Sequence, residues 1–164
     1  MLLRVISIGY PFSEFVVSGL KDIINRKIKY SYKGLVLIHS SKVPNDEWHL
    51  DCSIKSYKKG LKHLNNIALS SKGLSKPVLG SIVGAAIITD IYKNHDSQWT
   101  LYDRFQLVLN SPIKLNKPFC CNAETGIFFL KKELLNSFSE TDMELIKSLY
   151  QYSKNSLGIK YVLT

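Results

Sequence analysis

Twelve of the chain's 22 lysines and arginines fall between residues 21 and 76, where only four carboxylates accompany them. That stretch carries +8 of the formal +9 of the 164-residue chain. Basic residues clustered in this way are an electrostatic footprint for polyanions, nucleic acid among them, unless they form an ordinary solvated surface. The chain is rich in Asn, Ile and Ser, and only Arg4, Arg26 and Arg104 are arginines. An AT-rich coding sequence accounts for that lysine usage, but not for its position. Within the basic stretch, Lys55, Lys58, Lys59 and Lys62 recur at spacings that share a helical face. They form either an added electrostatic patch or the solvated side of an ordinary amphipathic helix.

Other chemistries find less support. His49 and Cys52 are spaced as H-x-x-C, and Cys120-Cys121 offer two more thiols. There is no C-x-x-C, and adjacent cysteines make awkward tetrahedral ligands, so no metal is expected. No Gly-rich phosphate loop, G-x-S-x-G elbow or H-E-x-x-H occurs, and no cofactor is expected. The longest apolar run, IVGAAII, has seven residues, against about 20 for a membrane span. The start, MLLRVISIGYPF, lacks the pattern of a secretory signal. Three cysteines are no disulfide framework, which points to a reducing cytoplasm.

The elements that must position these residues follow from periodicity. LLRVISIG (2–9) reads as a buried strand. Pro11 and Gly19 bracket a short helix carrying Phe12, Phe15 and Val16 on one face. In 22–29 the residues alternate, so a strand is expected with Ile24, Arg26 and Ile28 on one side. Residues 32–41 read as another strand, and 52–69 as a helix weakened at Gly60. Residues 78–92 read as a long strand curved at Gly80 and Gly84. Strands follow at 104–113 and 125–130. Ser139 and Asp142 match a capping box opening a helix that ends at Gly158, and 159–163 is a terminal strand or a docked tail. The order is that of an α+β domain, without the regular alternation of a doubly wound fold.

SIGYPFSEFVVSGLKDIINRKIKYSYKGLVLIHSSK (7–42) resembles the opening of the ASCH domain family, a branch of the PUA-like superfamily. That family reads S-I-x-Q-P-W, then G-x-K-x-x-E-x-R, then Y-R-G-x-x-x-I-H-A-x-K. Ser7, Ile8, Pro11, Gly19, Lys21, Arg26, Tyr32, Gly34, Ile38, His39 and Lys42 fall on matching positions without a gap. GSIVGAAIITDI (80–91), LVLNSPIKL (107–115) and TGIFFL (125–130) resemble later family strands. The likeness spans about residues 2–130, leaving a C-terminal helical extension (131–164) within a single domain. It implies a small PUA-like β-barrel of about six strands, with flanking helices and a cleft beside the first one. Members are thought to bind RNA or other nucleic acid. A related branch hydrolyses N4-acetylcytidine, and some members have been proposed to be ribonucleases.

The sequence departs from this pattern where catalysis would occur. The family Glu is Ile24, in the position that holds a nucleophilic Thr in the amidohydrolase branch. Isoleucine does no acid–base or nucleophilic work. Q-P-W is replaced by Tyr10-Pro11-Phe12. The resemblance places Tyr10, Phe12, Lys21 and Arg26 in the cleft, with Asn25, His39 and Lys42 at its edge. Two cations beside two aromatics suit an anionic, flat ligand such as a nucleotide. In the bland alternative, Arg26 pairs with Asp22, Glu14 or a C-terminal carboxylate, Ile24 joins the core, and His39 is a structural hydrogen-bonding residue. The expectation is an RNA-binding module. An enzyme would use Lys21 as general base, with a polar group from Thr89, Asp90 or Asp103. A third reading makes the C-terminal helix a protein-partner surface.

Overall fold

The structure, a computed structural model, describes residues 1–70 and 76–158. Its strands are β1 (Arg4–Ile8), β2 (Ile23–Arg26), β3 (Gly34–Ser40), β4 (Ser81–Lys93), β5 (Phe105–Cys120) and β6 (Ile127–Phe129). Its helices are α1 (Phe12–Val17), α2 (Ile54–Ser70) and α3 (Glu140–Leu157), with 3-10 turns at Trp48–Asp51 and Lys132–Ser137. The six strands form one sheet in the order β2-β5-β4-β3-β1-β6, curled into a half-barrel. β1 runs parallel to β3, and the other pairings are antiparallel.

All seven residues of β3 are buried, because the sheet is covered on both faces. Leu35 and Leu37 point into a cluster with Ile146 and Leu149 of α3. Val36 and Ile38 point the other way, into a cluster with Val16 and Val17 of α1. The apolar stripe of α3 is thus spent inside the chain. Ser139 caps α3 as expected, accepting from the Asp142 N–H at 3.2 Å. The buried Asp142 carboxylate also accepts from the backbone N–H groups of Asn116 (2.8 Å) and Lys117 (3.0 Å), tying α3 to β5. Gly158 takes the left-handed conformation that ends the helix. The expected element at 159–163 lies outside the described residues.

β5 runs seven residues past the expected boundary at 113, through Pro112 and Pro118. Beyond Leu109 it has a strand neighbour only on the β4 side, and there a missing N–H breaks no ladder. β2 is shorter than expected and stops at Arg26. Ile28 is 71% exposed beyond it, so the alternation read across 22–29 holds only to residue 26.

Gly84 is where α1 meets the sheet. A Cβ on it would collide with the Ile113 carbonyl oxygen and Val17 Cγ1. Gly84→Ala must push a backbone carbonyl or the helix aside. It should lower the unfolding free energy by about 3 kcal/mol. Urea denaturation checks this, and a midpoint equal to that of the parent would refute it.

Candidate functional site

A cleft of about 470 Å³ opens between the start of α1, β2 with the segment after it, and the loop before β5. Its walls include Phe12, Lys21, Ile24, Asn25, Arg26, Lys27, Tyr30, Asp51 and Arg104. Four of these are cations and one is a carboxylate. The fold therefore gathers Phe12, Lys21, Asn25 and Arg26 as expected.

Lys21 follows the helix end, where its N–H bonds to the Phe15 carbonyl at 2.9 Å. Its side chain then runs inward, leaving the residue 4% exposed. Nζ sits 5.0 Å from the Phe12 ring centroid and 4.8 Å from that of Trp99. It has no hydrogen-bond partner among the described residues. Burial pushes its pKa down to about 7, against a weaker opposing pull from Asp22, Cys52 and Asp51. Near neutral pH the amine is about half charged.

Arg26 donates to the Ser7 carbonyl at 2.7 Å. It forms no ion pair among the described residues: Glu14 is taken by Lys114 at 2.9 Å, and Asp22 accepts from Ser97 at 2.6 Å. Burial lowers its pKa from the ordinary value. Ile24, 2% exposed, joins the core and also lines the cleft, so both readings of it hold at once. Asn25 touches the cleft but has spent its amide. Nδ2 donates to the Trp99 carbonyl at 2.8 Å, and Oδ1 accepts from the Leu101 N–H at 3.1 Å. Buried Gln106 donates to the Leu101 and Arg104 carbonyls. These two amides build the loop that carries Trp99 and Arg104.

Three expected members stand elsewhere. Tyr10 lines a separate cavity of about 190 Å³ on the other side of α1, with Glu14, Leu64 and Lys114. Phe12 is the first residue of α1 and lines the cleft, whereas Tyr10 precedes the helix and lines the other cavity. His39 is fully buried. Its Nε2 lies 3.0 Å from the Cys121 carbonyl, which only accepts, so Nε2 carries the proton. Nδ1 then accepts from the Ser7 hydroxyl at 2.9 Å. Burial lowers the pKa of this imidazole, and the structural alternative describes it. Lys42 is exposed, its stem lying over Gly80, away from the cleft. Thr89, Asp90 and Asp103 do not line the cleft, and Asp90 is paired with Lys33 at 2.6 Å.

Trp99, Tyr30, Asp51 and Arg104 were not singled out in the sequence. Trp99 left one signal: a tryptophan inside the polar loop KNHDSQWT, an apolar ring in a segment that otherwise asks for solvent. Among the described residues, no cluster of three or more metal-ligating side chains occurs, and no helix is long and apolar enough to cross a membrane. Cys52 packs beside Trp99, whereas Cys121 lies in the cluster under α3.

The Lys21 pKa makes a prediction for stability. The folded value lies below the ordinary 10.5, so the unfolded chain binds more protons between about pH 7 and 10.5. In that window the group's contribution rises with pH, and burying the amine costs most below pH 7. Lys21→Met should stabilise the fold at pH 6 by roughly 3–5 kcal/mol, with the gain vanishing as pH approaches 10.5. Urea midpoints at both pH values check this; no gain at pH 6 would mean the buried amine has found a partner.

No family model matches the sequence, and no curated protein matches it. Solved structures do. The crystal structure of ASCH from Zymomonas mobilis is 14% identical, with 83% of this chain and 95% of that one covered at a TM-score of 0.50. A tyrosine-to-phenylalanine mutant of the same protein aligns at the same identity and TM-score, with 98% of its chain covered. With its curled six-stranded sheet and flanking helices, the chain has an ASCH-type, PUA-like α+β fold.

Proposed function

We propose that this ASCH-type module binds nucleic acid, RNA in preference to DNA, in the cleft beside α1. The observation that carries the reading is the unpartnered Lys21 amine held between Phe12 and Trp99, with Arg26 free of any carboxylate among the described residues. An arriving phosphate supplies the missing counter-charge to Lys21, Arg26, Lys27 and Arg104. Phe12 and Tyr30 line the cleft and offer aromatic surface for a base, where stacking on a ring face is worth roughly 1–3 kcal/mol. Tyr10, His39 and Lys42 have no part in this contact. Three free thiols fit a reducing cytoplasm as the place of action.

A second reading rests on the same amine. A lysine with a pKa near 7 is a competent general base. No serine, threonine or cysteine lines the cleft among the described residues, so a hydrolase here would use water. Lys21 would take the proton as water adds to the acyl carbon of a modified nucleoside such as N4-acetylcytidine. It would return the proton to the departing cytidine amine, releasing acetate. Ile24 offers no help to this chemistry, and binding without turnover remains the first reading.

Fluorescence anisotropy with short single-stranded RNA at two salt concentrations tests the proposal. Affinity should fall steeply with salt and drop at least tenfold in Lys21→Ala/Arg26→Ala. A bound anion raises the Lys21 pKa, so affinity should also weaken as pH rises through 7. Binding that ignores salt, or survives the double substitution, would sink the cleft reading. Acetate released from N4-acetylcytidine and abolished by Lys21→Ala would favour the second.

A further inference from the structure

Helix α2 holds charges that the cleft does not use. Its 17 residues contain four lysines and no carboxylate. On a helical wheel Lys55, Lys58, Lys59 and Lys62 fall within an arc of about 100°, along about 10 Å of axis. All four are exposed, and none pairs with a carboxylate among the described residues. The opposite face carries the residues that dock the helix. Ser56 and Gly60 are buried, and Tyr57 and Leu64 pack on the cluster of Phe15, Ile23 and Trp99. The docking residues are therefore turned into the protein, while Ile54, Leu61 and Leu69 stay exposed on the same helix, so an anionic lipid surface is the competing occupant that the test below includes.

The start of α2 is bound to the cleft wall. Ser56 Oγ donates to the Gln98 carbonyl at 2.8 Å, one residue before Trp99. Asp51, in the turn that leads into α2, itself lines the cleft. Lys55, the first of the four lysines, follows Asp51 by four residues, so the lysine face begins one turn beyond the cleft wall along the chain.

We infer that the outward face of α2 is a backbone track for single-stranded RNA, holding the nucleotides that flank the one in the cleft. This rests on the nucleic-acid reading of the cleft and extends it: the cleft takes one nucleotide, and α2 neutralises the phosphates beside it. Such contacts position the strand and read no bases. The ligand is thus a polynucleotide, bound more tightly than any mononucleotide.

The test compares the parent, a Lys55→Gln/Lys58→Gln/Lys59→Gln/Lys62→Gln variant and the matching four-arginine variant. The probes are single-stranded RNA of about twelve nucleotides, cytidine monophosphate and vesicles rich in anionic lipid. The glutamine variant should lose at least tenfold in RNA affinity. Its log–log salt slope should shrink by about 2–3, at roughly 0.7 per phosphate. Cytidine monophosphate binding should stay at the parent level, and the arginine variant should recover RNA binding. Parental RNA affinity and slope in the glutamine variant would overturn the track. So would a loss confined to vesicle binding. If RNA binding depends on α2 while the parent takes no mononucleotide and ignores Lys21→Ala/Arg26→Ala, the cleft reading fails and the track stands.

Discussion

Helix α1 lies as close to β4 as it does because residue 84 has no side chain. Val17 and the Ile113 carbonyl occupy the space where a Cβ would stand. That contact sets the height of α1 above the sheet, and much else follows from it. Phe15 and Val16 become fully buried, each contributing roughly 1.5–3 kcal/mol. The chain leaving α1 turns at Gly19, whose φ of 76° suits glycine, and drops Lys21 into the wall. Phe12 and Tyr10 line different cavities, so the one with Phe12 holds Lys21 and Arg26, while in the one with Tyr10 the lysine Lys114 is paired with Glu14.

The state of Lys21 is a contest between two effects of unequal size. Ring faces attract an ammonium by about 0.5–2 kcal/mol each. Removing that ammonium from water without a hydrogen-bonded partner costs more, and the pKa falls to about 7. A carboxylate three residues on, as in the resembling family pattern, would offer a counter-charge nearby. Ile24 withholds it, and no other carboxylate among the described residues bonds to Nζ. Among the described residues the site is left short of negative charge. The same substitution removes the group that acid–base or nucleophilic catalysis would use.

Charge and docking are separated on α2. Small residues, Ser56 and Gly60, let the helix approach the Phe15–Ile23–Trp99 cluster, while its lysines stay in water. Basic residues within 21–76 therefore include two groups of different kind: Lys21 and Arg26, buried or half-buried in the cleft, and the exposed lysines along α2. The first respond to desolvation and the second to ionic strength, so the two respond differently to pH and salt.

By itself the sequence determined the element types, the Ser139–Asp142 cap, the α+β order and the missing carboxylate at Ile24. Each of these is encoded in local spacing or in a single residue type. It also located Lys21 and Arg26, through a run of matched positions in the first 42 residues. Only the tertiary structure decided what stands opposite them. Trp99 backs Lys21 and Arg104 lines the cleft because Asn25 bonds across 74 positions to the loop before β5. Periodicity says which way a side chain points but not what faces it. His39 reads as a site residue until its two nitrogens are seen bonded to Ser7 and Cys121. Tyr10 reads as a partner of Phe12 until the two are seen to line different cavities. The strand order β2-β5-β4-β3-β1-β6 brings these distant segments together, and no window of the chain contains that order.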